Sequence, residues 1–392
     1  MLRCADAGVE WVRGEAGAEW GEAGFEGVDG FGGGGGGGDF DEGTHISIIA
    51  GVGEFWCEGF GVVKVAWQVE GLRMLGVRVG EVRAVEKKIV VLGSFVADVA
   101  FRAARLPEWG ETLMGSAFAL GPGGKGSNQA VAAARAGAKV QMISRLGDDA
   151  FGRMAREMWA ADGIDASLVG NCDVATGAAA ILIDERSGEN AILVVPGACF
   201  TLSEADVEAA GDAIGTARVL LTQLELPVAT VECGLRLARK AGVATILNPA
   251  PAQELSDAVL GLVDFLIPNE SEAALLTGIA VEGVRQAEQA ARMLMQRGAR
   301  CVIVTMGWQG ALVCVCDEAS VLVRAFGVGA VVETTGAGDA FCGGFATALS
   351  EGMRVVEAAR FGCAVAGISV TRAGTAQSMP KRAEVDAVLA RG

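Results

Sequence analysis

The chain has 392 residues, and 51% of them are hydrophobic, which is enough to form a large core. Its formal net charge of −16 argues against a nucleic acid or an anionic membrane as a partner, because both require a basic face. A single histidine argues against a histidine-based metal site, and the ten cysteines contain no CxxC spacing. We therefore expect a cytoplasmic protein with free thiols.

Residues 1–86 differ in composition from the rest of the chain. They include seven consecutive glycines, Gly32 to Gly38, and show no regular hydrophobic period. Because glycine at this density makes ordering costly in conformational entropy, we predict a disordered acidic extension, followed by one domain at 87–392. A true start of the protein further along the chain, at Met74, is the alternative.

From Lys88 onward, short apolar runs alternate with helical stretches. The predicted strands are Ile89–Gly93, Val140–Ser144, Val219–Gln223, Thr245–Asn248, Phe265–Pro268 and Cys301–Thr305. The predicted helices are Asn128–Ala136, Gly152–Gly163, Ser203–Ala213, Val228–Ala241, Gln286–Gly298 and Asp339–Leu349. Continuous apolar strands between helices indicate an α/β fold, in which helices cover both faces of a mostly parallel sheet.

Two further segments alternate polar with apolar residues. These are Glu111–Ala119 and Thr176–Val195, and the second contains a turn at Ser187-Gly188. Such alternation is typical of strands with one exposed face. We predict that they form a small antiparallel β lid outside the main sheet.

The glycine-rich segment GPGGKGSNQA, residues 121–130, precedes an alanine-rich helix. It fails as a P-loop, because Gly126 stands where Ser or Thr should follow Lys125. It matches G-x-G-x-x-G, so a dinucleotide site and a plain flexible turn both stay open, although the motif does not lie in the first βα unit. Lys125, Asn128 and Gln129 gather polar groups at the start of the helix, which favours a polyhydroxylated ligand.

A second motif, ETTGAGDAF, covers Glu333 to Phe341. Gly336, Ala337 and Gly338 can direct several N–H groups toward one anion at a helix start, where the helix dipole is positive. A phosphate fits this anion hole, and Asp339 beside it suits a general base that accepts a hydroxyl proton. The alternative, an ordinary acidic cap, explains Asp339 without the glycines.

Together the motifs resemble the ribokinase-like sugar kinases of the PfkB family. The resemblance covers residues 88–391 and rests on GGKGSNQAVAAARAGA, LNPAPAQEL, PNESEAALLTG, VTMGWQGA and TTGAGDAF, in that order. It implies a three-layer α/β/α sandwich whose β lid is also the interface of a homodimer. It also implies ATP-dependent phosphorylation of the hydroxymethyl group of a pentose, with ribose as the expected sugar. A kinase for 2-deoxyribose, a fructose-type sugar or a nucleoside, and a non-catalytic sugar or nucleotide sensor, are the alternatives.

The resemblance also implies roles for individual residues. The base would be Asp339, with its anion hole at Gly336, Ala337 and Gly338. The sugar would contact Asp98, Gly124, Lys125, Asn128, Glu225 and Asp339. ATP would be lined by Asn248, Thr305, Gly307, Gly310 and Gly338, and Mg²⁺ would be organised indirectly by Asn269 and Glu272. An activating K⁺ would lie between loops 333–335 and 373–378, at Glu333, Thr335, Gly374 and Ser378.

The chain departs from the usual family pattern at three positions. Val96 and Cys199 each replace an asparagine, and Glu333 replaces an aspartate. The change at Val96 bears on which sugar is bound, and the change at Glu333 bears on the K⁺ site.

Overall fold

The computed structural model describes residues 88–391 and, nearer the N-terminus, five short strands. These strands are β1 (Leu2–Cys4), β2 (Glu10–Val12), β3 (Gly21–Ala23), β4 (Val52–Cys57) and β5 (Gly61–Ala66). They pair antiparallel in the order β3-β2-β1-β4-β5. The predicted disorder of residues 1–86 otherwise falls outside the described residues, and it stays a prediction.

A nine-stranded sheet forms the centre of the larger unit. Its strands are β6 (Lys88–Leu92), β9 (Lys139–Gly147), β10 (Asp165–Cys172), β13 (Val219–Thr222), β14 (Ala244–Leu247), β15 (Phe265–Leu266), β16 (Cys301–Thr305), β17 (Ala311–Val315) and β18 (Val321–Val323). The order is β10-β9-β6-β13-β14-β15-β16-β17-β18. Every pair from β10 to β16 is parallel, and only β17 and β18 are antiparallel to their neighbours. The predicted mostly parallel sheet is confirmed.

Helices cover both faces of this sheet. They are α1 (Lys125–Arg135), α2 (Ala150–Ala161), α3 (Glu204–Ala209), α4 (Gly211–Gly215), α5 (Val228–Ala241), α6 (Asp257–Leu260), α7 (Glu270–Thr277), α8 (Val284–Gln296), α9 (Ala337–Ser350), α10 (Val355–Ser369) and α11 (Arg382–Leu389). Along β6, Ile89 and Val91 join a core with α1, α2, α9, α10 and α11, whereas Val90 and Leu92 join a core with α3 to α8. Because side chains alternate across a strand, an all-apolar strand supplies both layers.

The helix predicted over Ser203–Ala213 is instead two helices, α3 and α4, which meet at Ala210. Gly211 follows this break, and glycine has a low helix propensity. The other predicted helices and strands of the main unit agree with the structure to within three residues. Along the part of the chain that the structure describes, no helix combines the length and apolar character needed to cross a membrane.

Four strands form a separate lid sheet. They are β7 (Val96–Ala103), β8 (Ala117–Gly123), β11 (Thr176–Asp184) and β12 (Asn190–Gly197), in the order β12-β11-β7-β8. The predicted hairpin over Thr176–Val195 is confirmed, but the predicted strand Glu111–Ala119 is wrong by several residues, and β7 was not predicted. The lid is also not purely antiparallel, because β7 and β11 are parallel.

Candidate active site

Three helices, α1, α7 and α9, begin around one cleft at the carboxyl ends of the parallel strands. The cleft has a volume of about 150 Å³. It is lined by Lys125, Asn248, Ala250, Ile267, Asn269, Glu272, Thr305, Gly336, Gly338, Asp339 and Cys342. Eight of these residues were predicted to belong to the site. In open α/β sheets this edge is where ligands bind.

The residues predicted to form an anion hole, Gly336, Ala337 and Gly338, lie at the start of α9. The expectation for Ala337 is wrong, because its N–H donates to the carbonyl of Thr334 at 3.1 Å. Gly336 caps the helix with φ 80°, a left-handed conformation that favours glycine. The N–H groups of Gly338 and Asp339 lie in the first turn, so the helix itself offers them no acceptor. An added Cβ at Gly338 would meet no other atom within 4 Å. The backbone here is therefore open to an anion.

Asp339 lies in the first turn of α9 and is buried. Its Oδ2 accepts a hydrogen bond from Asn128 Nδ2 at 3.0 Å, and its Oδ1 accepts one from Gln129 Nε2 at 2.9 Å. Burial raises the pKa of Asp339 above its ordinary value, whereas the Lys125 ammonium and the two amide donors oppose that rise. A carboxylate with a raised pKa and a fixed orientation suits proton transfer.

Lys125, the first residue of α1, carries the positive charge of the site. Burial lowers the pKa of Lys125, but the carboxylates of Asp339, Glu225 and Glu272 outweigh burial and leave its pKa above the ordinary value. The side chain therefore stays charged among three acids, where it can neutralise part of their field.

On the lid side of the cleft, Asp98 and Glu225 hold the remaining carboxylates predicted to contact the sugar. Glu225 Oε2 accepts from the backbone N of Lys125 at 2.9 Å and from Ser94 Oγ at 2.5 Å. Asp98 Oδ2 accepts from Thr375 Oγ1 at 3.4 Å. Burial raises the pKa of Asp98 to about 6, partly offset by the Thr375 hydroxyl and reinforced by nearby acids.

Glycines allow the helix α1 to approach this region. A Cβ at Gly123 would collide with the Asp98 carboxylate, and Gly124 has φ 84° and lies against the backbone of Val96. Gly126 packs on Gly93, which lets α1 begin directly on the end of β6. The dinucleotide alternative lacks its structural context, because the G-x-G-x-x-G segment joins the lid strand β8 to α1.

The predicted magnesium-organising pair forms the cap of α7. Asn269 Oδ1 accepts from the backbone N of Glu272 at 2.8 Å, while Asn269 N and Nδ2 each donate to one Glu272 carboxylate oxygen at 2.9 Å. Burial raises the pKa of Glu272. This reciprocal capping holds both side chains at the edge of the cleft.

Two loops predicted to hold a monovalent cation lie beside the start of α9. Glu333 Oε2 accepts from the backbone N of Gly374 at 2.8 Å and so joins the two loops. Ser378 Oγ donates to the carbonyl of Thr375 at 2.8 Å and is buried, whereas Thr335 is exposed. The longer Glu333 side chain thus bridges the loops.

Gly307 and Gly310, predicted to line ATP, shape the turn between β16 and β17. Both have positive φ angles, 50° and 108°, and a Cβ at Gly310 would collide with the carbonyl of Val323. Neither is among the residues that line the 150 Å³ cleft, whereas Thr305, at the end of β16, is. The contact of these glycines with ATP stays a prediction.

Comparison with known proteins identifies the family of this chain. A family model described as pfkB family carbohydrate kinase matches residues 86–382. The chain belongs to this family. The resemblance inferred from the sequence is confirmed, and the protein is an ATP-dependent carbohydrate kinase.

Similar carbohydrate kinases align with this chain over almost the whole of their own length. The ribokinase of Haemophilus influenzae is 42% identical over 76% of this chain and 97% of its own length. The deoxyribokinase of Salmonella typhi is 38% identical, over 74% of this chain and 95% of its own length. The structure of Arabidopsis thaliana ribokinase complexed with ribose and ATP has a TM-score of 0.72 and 32% identity, and covers 77% of this chain and 98% of that one.

Gln129, predicted with Lys125 and Asn128 to bind a polyhydroxylated ligand, does not line the cleft. Gln223 was not predicted as a site residue, and Thr375 was predicted only as part of the cation loop 373–378. Gln129 and Gln223 lie behind Asp339, and Thr375 contacts Asp98. Gln223 directly follows the buried strand β13, and a polar residue at the carboxyl end of a parallel strand is a signal that could have found it.

Proposed function

We propose that the protein transfers the γ-phosphoryl group of ATP to the 5-hydroxyl of ribose. The observation that carries this proposal is the buried Asp339 carboxylate, held by two amides at the mouth of the α9 anion hole. The relatives named ribokinase support ribose as the acceptor.

In the proposed reaction the sugar hydroxyl gives its proton to Asp339 as its oxygen attacks the γ-phosphorus, and ADP departs with the electrons of the broken P–O bond. The N–H groups of Gly336 and Gly338 would face the negative charge that develops on the transferred group. The charged Lys125 ammonium lies among the acids around the same point, so it opposes their repulsion of phosphate.

The sugar hydroxyls are held by the polar cluster between the lid and α1. Asn128 Oδ1 is buried and has no hydrogen-bond partner among the described residues, so a ligand hydroxyl can donate to it. Asp98 and Glu225 accept further hydroxyls, and Gly124 permits the close approach of the chain. A buried carboxylate and an unpaired amide oxygen both suit a polyhydroxylated ligand.

We assign Asn248 and Thr305 to the ATP side of the cleft, together with Gly307 and Gly310 in the turn after β16. Asn269 and Glu272 would organise a magnesium ion through their oxygens, which are the ligand type that this ion prefers. When bound with ATP, magnesium neutralises phosphate charge and supports transfer.

A monovalent cation, K⁺, fits the pair of loops joined by Glu333 and Gly374. Glu333 supplies a carboxylate, and the loop backbones at Thr335, Gly374 and Ser378 supply carbonyl oxygens. These hard oxygen donors suit such a cation, whose charge would add to the positive potential at the start of α9.

We also propose that two copies pair through the lid face opposite Asp98. Alternation along the lid strands puts Phe101, Phe118, Leu120, Leu193 and Val195 on that face, and all five are between 42% and 69% exposed. Exposed apolar patches of this kind mark interfaces. Sedimentation of Leu193→Glu tests the proposal: a dimer is expected for the wild type and a monomer for the variant, and a monomeric wild type would contradict it.

A second acceptor, 2-deoxyribose, is favoured by Val96 and by the deoxyribokinase relative. A non-catalytic sugar or nucleotide sensor is the alternative of another class. An assay that couples ADP release to NADH oxidation, run over pentoses, hexoses and nucleosides, distinguishes these possibilities. Turnover highest with ribose is expected. Turnover highest with a hexose or nucleoside, or ATP binding without turnover, would contradict the proposal.

The cytoplasmic location expected from the sequence stays a prediction.

A further inference from the structure

A buried chain of amide hydrogen bonds runs behind Asp339. Gln223 Nε2 donates to Gln129 Oε1 at 2.6 Å. Gln129 Nε2 in turn donates to Asp339 Oδ1 at 2.9 Å and to Asn248 Oδ1 at 3.1 Å. Gln129 is 0% exposed and Gln223 is 1% exposed, so water does not reach either amide.

Each hydrogen-bonding group of the Gln129 amide has a partner in this chain. Its oxygen accepts from Gln223, and its nitrogen donates to both Asp339 and Asn248. A flipped amide would direct its oxygen at the Asp339 carboxylate and its nitrogen at the Gln223 donor. An oxygen facing the Asp339 carboxylate in a dry site makes that orientation costly, so the contact with Asp339 sets which way Gln129 faces. Gln223 fills the remaining acceptor of Gln129, while its own Oε1 has no partner among the described residues.

Asn248 is held from both sides. Its Oδ1 accepts from Gln129, and its Nδ2 donates to the carbonyl of Ile267 at 2.9 Å. Asn248 and Asp339 both line the cleft, on the ATP side and the sugar side respectively in the proposed function. One buried side chain therefore orients a residue on each side of the reaction.

We infer that Gln129, hydrogen-bonded to Gln223, Asp339 and Asn248, is a positioning residue that sets the Asp339 base and the Asn248 amide in a single productive orientation. This inference rests on the proposed function, because it assigns Asp339 the role of base. Gln129 itself does not reach the cleft, since it is not among the residues that line it.

The charged and titratable groups around Asp339 come from several elements. They are Lys125 on α1, Glu272 on α7, Asp98 on β7 and Cys342 on α9. Substitution of Gln129 leaves all four in place. Because a hydrogen bond to the charged form lowers the pKa of a carboxyl, loss of the Gln129 donor should raise the pKa of Asp339 further.

Gln129→Met tests the inference, because methionine keeps the length of the side chain without its hydrogen bonds. We expect kcat with ribose to fall roughly tenfold or more, with little change in KM for ribose, since the loss acts on proton transfer. The acidic limb of the kcat–pH profile should move to higher pH. Gln223→Met should move the acidic limb in the same direction by less.

Gln141→Met is the matched control. Gln141 is a buried glutamine on β9 that hydrogen-bonds Lys88, Asp165 and Ser167, at the opposite end of the sheet. Loss of the Gln141 hydrogen bonds should lower Tm without moving the acidic limb of the kcat–pH profile.

A wild-type pH profile and kcat in Gln129→Met, with only a lower Tm, would overturn the positioning role. A wild-type profile in Gln223→Met would overturn the contribution of Gln223 to this orientation. Crystal structures of both variants give a readout that needs no activity: Asp339 and Asn248 should change rotamer, and unchanged side chains would also overturn the inference. A wild-type protein that phosphorylates no sugar would instead refute the proposed function.

Discussion

Asn128 Nδ2 donates to Asp339 Oδ2 at 3.0 Å and so joins the start of α1 to the start of α9, although the two residues are 211 positions apart in the chain. The other end of the same amide, Asn128 Oδ1, is buried without a partner among the described residues. A sugar hydroxyl that donates to Asn128 Oδ1 would lie next to the Asp339 carboxylate. Asp339 would then accept a proton from a neighbouring hydroxyl of the same sugar. In the proposed function, one side chain therefore contributes both to recognition of the sugar and to activation of its hydroxyl.

The charged Asp98 carboxylate should lower the stability of the folded protein while it contributes to sugar binding. Its pKa is raised from 3.8 to about 6, so the folded protein binds more protons than the unfolded chain between these values, and its stability falls as pH rises through that window. Asp98→Asn should therefore raise Tm at pH 8, and the gain should vanish as pH falls toward 4. Because the hydrogen bonds from sugar hydroxyls to a charged acceptor are lost, kcat/KM for ribose should fall by about tenfold or more. Calorimetry at several pH values and steady-state kinetics check both effects. An unchanged or lower Tm at pH 8 would contradict the assignment of a half-buried carboxylate whose charged form is destabilised.

Val96 should compress the preference for ribose over 2-deoxyribose. It is 3% exposed and lies two residues from Asp98 on the same face of β7. A sugar hydroxyl that faces its methyl groups loses water without gaining a partner, at a cost of about 1–3 kcal/mol. We expect kcat/KM for ribose to exceed that for 2-deoxyribose by about tenfold or less, and Val96→Asn to widen the ratio.

Val99→Asn is the matched control, because Val99 lies on the opposite face of the same strand, which is the proposed dimer face. Its substitution can change the overall rate but should leave the ratio for the two sugars unchanged. A wild-type preference above roughly a hundredfold, two decades of about 1.4 kcal/mol each, would mean that another group serves the hydroxyl.

The K⁺ response should depend on residue 333. One carboxylate oxygen of Glu333 accepts a hydrogen bond from the Gly374 N–H, so Glu333 holds the two loops together around the proposed cation. We expect activation by KCl that is weaker than in Glu333→Asp, whose shorter side chain leaves the loops freer to adapt to a large ion. Initial rates against KCl, with a bulky organic cation holding ionic strength constant, measure it. A flat response in both proteins would argue that these loops bind no activating cation.

Local patterns in the sequence were sufficient to predict the main sheet and the helix α9 that carries Asp339. The strand Cys301–Thr305 and the helix Val228–Ala241 have their predicted bounds, and Asp339 lies in the first turn of α9 as expected. Apolar runs and helix-start glycines are local features, and local features are what a sequence displays.

The lid and the buried amides were harder to predict. The strand β6 ends at Leu92 and β7 begins at Val96, with only three residues between them, so the two strands read as one stretch. The hydrogen bond from Gln223 to Gln129 joins residues 94 positions apart, and no spacing in the sequence marks that pair. Tertiary pairings of this kind become visible only when the fold brings the strand end and the helix start together.

The central claim is that Asp339 is the base of a sugar kinase, and Asp339→Asn tests it most directly. The substitution keeps the shape of the side chain but removes its capacity to accept a proton, while Asp386→Asn, on the surface of α11, controls for loss of one acid. In the coupled ADP-release assay with ribose and MgATP, kcat should fall by about 10²–10⁴, the range for a lost general base, with ribose and ATP binding measured by calorimetry nearly intact. Turnover equal to the wild type in Asp339→Asn would contradict the account.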